Sequence, residues 1–75
     1  MTKFEILNDC EIVIFDGNSG EKKSLKIGDI LEMDVIGHPK RVAARKLVED
    51  TQTLNVRFED GRFSMIDAKN VKKTS

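Results

Sequence analysis

The 75-residue sequence contains no tryptophan and no tyrosine, and only four phenylalanines, one cysteine, one histidine and one proline. A hydrophobic core must therefore be built almost entirely from aliphatic side chains. The single cysteine, Cys10, excludes an internal disulfide and leaves no second thiol for a paired metal site. A chain of this length is expected to form one domain, residues 1–75, with little mass left for a deep catalytic cleft.

No segment has the pattern of an active site or a metal site. The only histidine, His38, lies between Gly37 and Pro39, and the scattered carboxylates fit no recognised metal-ligand spacing. The serines lack the motifs that surround a nucleophile. We therefore expect a protein that is not an enzyme and uses no metal or other cofactor. The absence of a signal peptide and of about 18 consecutive apolar residues predicts a cytoplasmic protein without membrane contact.

Charged residues are plentiful, at 35% of the chain, and the formal net charge is zero. Their distribution is uneven, because residues 1–36 carry eight acids and four lysines, whereas residues 37–75 carry nine bases and five acids. The first part is thus −4 and the second +4. This asymmetry permits a basic face on a neutral protein, which is one route to binding polyanions. The alternative is that strands from the two halves interleave and mix the charges.

Short segments rich in β-branched and aromatic residues, separated by turn signals, predict a mainly β fold. Lys3–Leu7 and Glu11–Phe15 are interpreted either as a pair of strands or as one long strand with a kink. A single tight turn, of the 3-10 type, is expected near residues 67–70. The further extended segments are Lys22–Lys26, Ile30–Ile36, Thr53–Phe58, Arg62–Ile66 and Asn70–Lys73.

The segment Arg41–Asp50 fits two structures. As a strand it places Val42, Ala44 and Val48 on one face. As a helix it pairs apolar residues four positions apart, and it is composed of good helix formers. The neighbouring short strands favour a strand here, with a short helix over residues 41–50 as the alternative.

The most regular part of the sequence is a hairpin around Asp60-Gly61. This residue pair is preferred in two-residue type I′ turns, in which both positions have positive φ. That turn places Glu59 opposite Arg62 as an ion pair and Phe58 opposite Phe63. Four apolar residues are then expected on the core face, namely Val56, Phe58, Phe63 and Met65.

The segments from Leu25 onwards follow one another in a familiar order. The Leu25–Asp29 turn (LKIGD) leads into a strand, and a basic segment, the Val56–Gly61 hairpin, a one-turn helix and a short last strand follow. This order resembles SH3-like barrels of the KOW and Tudor type over about residues 25–73. The resemblance implies a small SH3-like barrel of five to six short antiparallel strands. Because KOW domains occur in transcription elongation factors and ribosomal proteins, it also implies an association with nucleic-acid machinery.

The segment His38–Lys46 (HPKRVAARK) is the strongest candidate for a binding site, because it places four cations within seven positions without an acid. Such a cluster can contact phosphates or an acidic protein surface. The predicted basic patch consists of Lys40, Arg41, Arg45, Lys46 and Arg57, with Arg62, Lys69, Lys72 and Lys73 as an extension.

These features predict a non-catalytic binding module that acts on the transcription or translation apparatus, or on RNA or DNA directly, through the basic patch. The alternative is a small protein-interaction or inhibitor protein, such as a phage-encoded regulator, that binds a partner protein without contacting nucleic acid. A third hypothesis is a homo-oligomer formed through an open strand edge, for instance Glu11–Phe15. The zero net charge and the lack of aromatic residues left for base stacking weigh against direct nucleic-acid binding.

Overall fold

A computed structural model describes residues 1–74 of the chain. In this range the protein consists of nine β-strands and one 3-10 turn, and no helix is long and apolar enough to cross a membrane. The mainly β class and the 3-10 turn near residues 67–70 are confirmed. In chain order the elements are β1 (Thr2–Ile6), β2 (Cys10–Asp16), β3 (Ser19–Leu25), β4 (Ile30–Gly37), β5 (Lys40–Ala43), β6 (Lys46–Glu49), β7 (Thr53–Phe58), β8 (Phe63–Asp67), the 3-10 turn (Ala68–Asn70) and β9 (Val71–Lys73).

Seven of these strands form one antiparallel sheet in the order β3-β2-β8-β7-β4-β1-β9, and β5 and β6 form a separate two-stranded hairpin. The nine strands exceed the expected five to six, partly because residues 40–49 form two strands. The prediction that Lys3–Leu7 and Glu11–Phe15 pair, or form one kinked strand, is wrong. Three strands separate β1 from β2 in the sheet, because each finds its partners elsewhere in the chain.

Three short connections make the sheet curl. β1 and β2, β3 and β4, and β8 and β9 are each four positions apart in the strand order. In a flat sheet that separation is about 19 Å, since neighbouring strands lie about 4.8 Å apart. The four residue steps from Ile6 to Cys10, or from Asp67 to Val71, span at most about 14 Å, and the five steps from Leu25 to Ile30 span at most about 18 Å. The two ends of the sheet must therefore approach each other, although the backbone ladder stays open between β3 and β9.

One hydrophobic core fills the inside of the curled sheet. It combines residues from both ends of the strand order, such as Ile6 of β1 and Leu25 of β3, which are 0% and 1% exposed. Cys10, Leu31, Leu54 and Phe58 pack against it at its margin. The fully assembled core is aliphatic apart from one aromatic ring, as the composition requires, and consists of Phe4, Ile6, Ile12, Ile14, Leu25, Met33, Val56, Ile66 and Val71.

The connection between β1 and β2, residues 7–9, is hydrogen-bonded to the turn between β3 and β4, residues 26–29. The carboxylate of Asp9 accepts a bond from the backbone N–H of Ile27 at 2.9 Å. Ile6 donates to the carbonyl of Asp29 and accepts from Gly28, both at 2.9 Å. Gly28 has φ +91°, a conformation that L-residues with side chains rarely adopt. The predicted Leu25–Asp29 turn thus bonds to the end of β1, which lies five positions away from β3 in the strand order.

The same connection is also bonded to the 3-10 turn before β9. The N–H of Leu7 donates to the carbonyl of Asn70 at 2.8 Å. The side-chain amide of Asn8 donates to the side-chain oxygen of Asn70 at 3.1 Å and to the carbonyl of Lys69 at 3.4 Å. Residues 7–9 therefore tie together all three connections that curl the sheet, and we call this meeting point the junction.

The predicted register of the β7–β8 hairpin is wrong by one residue. The loop is Glu59-Asp60-Gly61, because the N–H of Phe58 donates to the carbonyl of Arg62 at 2.9 Å, and Gly61 alone has positive φ, +88°. This is a three-residue loop of the type in which a type I turn is followed by a left-handed glycine. Arg57 lies opposite Phe63. Since a one-residue slip reverses the face of every side chain, β8 turns Phe63 outwards.

The face of β8 that points into the core carries Ser64 and Ile66, while Phe63 and Met65 are 44% and 50% exposed on the outer face. Ser64 is 3% exposed, and its hydroxyl donates to the carbonyl of Val13 at 2.7 Å. That bond satisfies a polar group which would otherwise be costly to bury. The core prediction is thus correct for Val56, and Phe58 packs at the core margin.

The predicted Glu59–Arg62 ion pair is replaced by a contact between Arg62 and Asp60. The guanidinium Nε of Arg62 lies 2.6 Å from the Asp60 carboxylate, whose other oxygen accepts the Arg62 backbone N–H at 3.0 Å. The backbone N–H of Arg62, together with its guanidinium, lowers the pKa of the Asp60 carboxyl below its ordinary value. The Asp60 side chain thus closes the three-residue loop by binding Arg62. A two-residue turn at Asp60-Gly61 would not have allowed this contact.

We predict that Asp9→Ala destabilises the fold more than Asp9→Asn. Alanine removes the acceptor of the Ile27 N–H at the junction, whereas asparagine retains an oxygen at the same position. The expected loss for alanine is about 1–2 kcal/mol in the free energy of unfolding, measured by urea denaturation. Equal losses for the two substitutions would show that charge, not the hydrogen bond, is the contribution of Asp9.

Candidate binding surface

The β5–β6 hairpin, residues 40–49, stands apart from the seven-stranded sheet, and we call it the arm. Its base is fixed at two points. The N–H of Asp50 donates to the carbonyl of Pro39 at 2.8 Å. The ring nitrogen Nδ1 of His38 lies 2.8 Å from the carbonyl of Thr53, and because a carbonyl only accepts, Nδ1 carries the proton. The single histidine therefore anchors the arm to β7.

Beyond this base, nine of the ten arm residues are exposed. The rungs Lys40–Glu49 and Val42–Leu47 lie on one face, since directly opposed residues share a face. Val42 and Leu47 are 72% and 71% exposed, so this face presents two apolar side chains to solvent. The other face carries Arg41 and Lys46 together with Ala43 and Val48.

The tip of the arm is a two-residue turn in an uncommon conformation. Ala44 and Arg45 have φ of +50° and +66°, and they are the only residues other than glycine with positive φ within residues 1–74. Two consecutive positive values match the type I′ turn, which ordinarily contains asparagine or glycine. The segment is extended, as the sequence favoured, and the alternative of a helix over residues 41–50 is wrong. The helix formers at this turn are overridden by pairing of the two flanking strands.

The structure brings four of the predicted cations together on the arm: Lys40, Arg41, Arg45 and Lys46. Arg57 lies elsewhere, on the outer face of the sheet between Asp34 of β4 and Phe63 of β8. Arg62 is held by Asp60. The remaining three residues of the predicted extension belong to the 3-10 turn and to β9, namely Lys69, Lys72 and Lys73.

Charges of opposite sign are mixed over the sheet. Its order places two strands from the first half of the chain beside two from the second, then two from the first again and one from the second. Lys72 accordingly lies opposite Glu5, and Arg57 lies opposite Asp34. The arm carries most of the basic excess of the second half, with four cations and one acid, Glu49.

The one-residue change in register places Phe63 and Met65, which the sequence assigned to the core, on an exposed apolar surface. Phe15 of β2 lies directly opposite Phe63 of β8 on the outer face, and the two rings are 40% and 44% exposed. A shallow groove beside them is lined by Ile36, Met65 and other residues of β4, β7 and β8. We call Phe15, Ile36, Phe63 and Met65 the outer patch. Phenylalanine and methionine, with a neighbouring arginine, are residue types enriched in protein interfaces.

Within residues 1–74, no group of three or more His, Cys, Asp and Glu side chains is arranged to hold a metal ion. Cys10 is half-buried at the start of β2 and lies at the margin of the core. Burial and the nearby carboxylates of Asp67 and Asp9 raise the pKa of its thiol. A raised pKa leaves less thiolate, which is the nucleophilic form.

Comparisons of the chain with protein-family models, with curated proteins and with solved structures give no match. The fold class is given by the structure alone. The protein is a small all-β protein with a curled antiparallel sheet, and this architecture is compatible with an SH3-like barrel.

Substituting Ala44 by glycine should stabilise the arm without changing its charge. Glycine adopts positive φ without the steric cost that a side chain incurs, about 1–2 kcal/mol per residue. We expect slower hydrogen exchange at the hydrogen-bonded arm amides, such as those of Arg41 and Val48, with unchanged exchange at core amides of β7. Faster exchange in the arm would contradict the type I′ turn.

Proposed function

We propose that this chain is an intracellular, non-catalytic binding protein whose arm contacts nucleic acid, either free or as part of the transcription or translation apparatus. The observation that carries the proposal is the arm itself. It has four cations and one acid, and both of its faces are exposed. The mixed charges of the sheet make the arm the main source of attraction for a polyanion.

A two-stranded ribbon has suitable dimensions for such a contact. The major groove of B-DNA admits an α-helix or a two-stranded β-ribbon. Arg41 and Lys46 share one face and can contact phosphates, and Arg45 at the tip extends this reach. Val42 and Leu47 on the opposite face offer apolar contacts to sugars or base edges. Contacts to phosphate position a protein without reading sequence, so we infer binding of low sequence specificity.

The SH3-like barrel we propose is of the KOW or Tudor type. The features that support this assignment are the Leu25–Asp29 turn before β4, the β7–β8 hairpin, the 3-10 turn and the short last strand, which follow one another in the expected order. The arm occupies the basic segment between β4 and β7. An association with elongation factors or ribosomes would follow from this type.

The proposal predicts that affinity for nucleic acid depends strongly on salt. Three phosphate contacts, from Arg41, Arg45 and Lys46, give a slope of about −2.7 for log K against log salt on duplex DNA, or a loss of about 40-fold between about 50 and 200 mM. Fluorescence anisotropy with labelled duplexes and single strands of DNA and RNA measures this. Arg41→Glu combined with Lys46→Glu should abolish the signal at low salt.

The matched control is Lys69→Glu combined with Lys73→Glu, which changes the net charge equally but lies on the 3-10 turn and β9. Binding should persist in this variant, with only the modest loss that a changed net charge brings. Absence of binding by the unmodified chain at low salt, or equal loss in both double variants, would refute an arm-based contact.

The outer patch favours a second function, in which the protein binds or inhibits a partner protein without contacting nucleic acid. Its two facing phenylalanine rings lie in one row with Arg57, which offers a charged group beside an apolar surface. Such a partner would present apolar side chains and a carboxylate. Interfaces of this composition commonly concentrate their binding energy in a few aromatic and arginine side chains.

Phe63→Lys combined with Met65→Lys tests the second function. Both side chains are exposed, so the fold should remain intact, which circular dichroism can check. If the outer patch binds a protein, the partner captured from nuclease-treated lysate is lost with this variant and retained with the arm variant. The reverse pattern would assign the capture to the arm.

A further inference from the structure

Strand β3 forms one open edge of the sheet. All seven of its residues pair with β2, from Cys10–Leu25 to Asp16–Ser19, and within residues 1–74 no strand lies on its other side. Six of the seven residues are exposed, and none is proline. A row of backbone N–H and C=O groups is therefore available for pairing with another strand. The strand predicted to be open, Glu11–Phe15, is instead paired on both sides.

The open edge strand β3 carries charges of both signs, which a purely repulsive edge would not. Lysines on an edge strand normally discourage association. Here Glu21 and Lys23 point to the same face of the sheet, two residues apart, and neither has a salt bridge within residues 1–74. Lys22 points to the other face, where its ammonium lies 4.0 Å from the carboxylate of Glu11. The edge thus combines two unpaired charges of opposite sign with one compensated lysine.

We propose that β3 pairs with β3 of a second copy of this chain, antiparallel and with Lys22 opposite its own counterpart. In this register Glu21 of each copy lies opposite Lys23 of the other, so both unpaired charges gain a partner. Opposite charges placed directly across from each other stabilise strand pairs. Each Lys22 keeps its own Glu11, which offsets the repulsion between the two lysines.

The charge pattern selects this register. Centring the pair on Glu21 or on Lys23 places that residue opposite its own copy, with like charges in contact. A shift by one residue pairs Glu21 with Lys22, but it joins the core-facing side of one sheet to the outer side of the other. Only the arrangement centred on Lys22 forms two Glu21–Lys23 pairs and continues each face of the sheet across the interface.

Two single charge reversals test the proposal. Glu21→Lys gives a copy with two lysines on this face, and Lys23→Glu gives a copy with two glutamates. Each alone should dimerise about tenfold more weakly than the unmodified chain, whereas an equimolar mixture should form a heterodimer at least as readily. The variant with both substitutions should recover the homodimer. Sedimentation velocity distinguishes these species from the 8.5 kDa monomer.

Disulfide trapping tests the register independently, in a background with Cys10→Ser. Lys22→Cys should cross-link two copies, because the Cα atoms of a residue that opposes itself in a hydrogen-bonded pair lie about 5.5 Å apart, a distance that a disulfide spans. Ser24→Cys, exposed on the same strand, would oppose Gly20 and should not. A monomer mass at all concentrations, dimerisation that ignores the charge reversals, or trapping at position 24 but not 22 would each overturn the proposal.

Discussion

Three connections of three or four residues determine the shape of this protein, since each joins strands that lie four positions apart in the sheet. A flat sheet cannot meet these distances, so the sheet curls and both of its ends contribute to one core. The core of nine buried residues thereby combines side chains from strands that are distant in the strand order, such as Ile6 of β1 and Leu25 of β3. Residues 7–9 hold the connections together through one backbone hydrogen bond of Leu7 and through side-chain bonds of Asn8 and Asp9.

The strand order also divides the charged residues into two groups, those mixed over the sheet and those on the arm. Interleaving of strands from both halves places acids and bases next to each other over the sheet, and the residues outside the arm carry nine bases and twelve acids in all. The arm escapes this mixing, because β5 and β6 pair only with each other. Its tip keeps Ala44 and Arg45 at positive φ, a cost that the pairing of the two strands must offset. The exposed cluster of cations and the local backbone strain thus coincide in one element.

Strand positions and the 3-10 turn could be predicted from the sequence because alternation and turn residues are local signals. The type of the β7–β8 loop could not be predicted from the sequence. Asp60-Gly61 suits both a two-residue and a three-residue loop, and the difference of one residue decides which face of β8 is buried. Ser64 resembles a surface residue until its bond to Val13 is known, whereas Phe63 and Met65 resemble core residues. The outer patch therefore had no sequence signal, and the pairing partners of β1 and β2 depend on contacts across the whole chain.

Four cations of the candidate site were identifiable because they are contiguous in the sequence, and contiguity survives folding into a hairpin. Arg57 and the lysines of β9 were grouped with them only by charge, and folding places them on other elements. The proposed function requires that the arm, and not the sheet, contacts nucleic acid. A heteronuclear NMR titration of the labelled protein with a short duplex tests it directly. Contact through the arm should confine the shift changes to residues 40–49 and His38, whereas changes centred on Phe15, Arg57 and Phe63 would refute it.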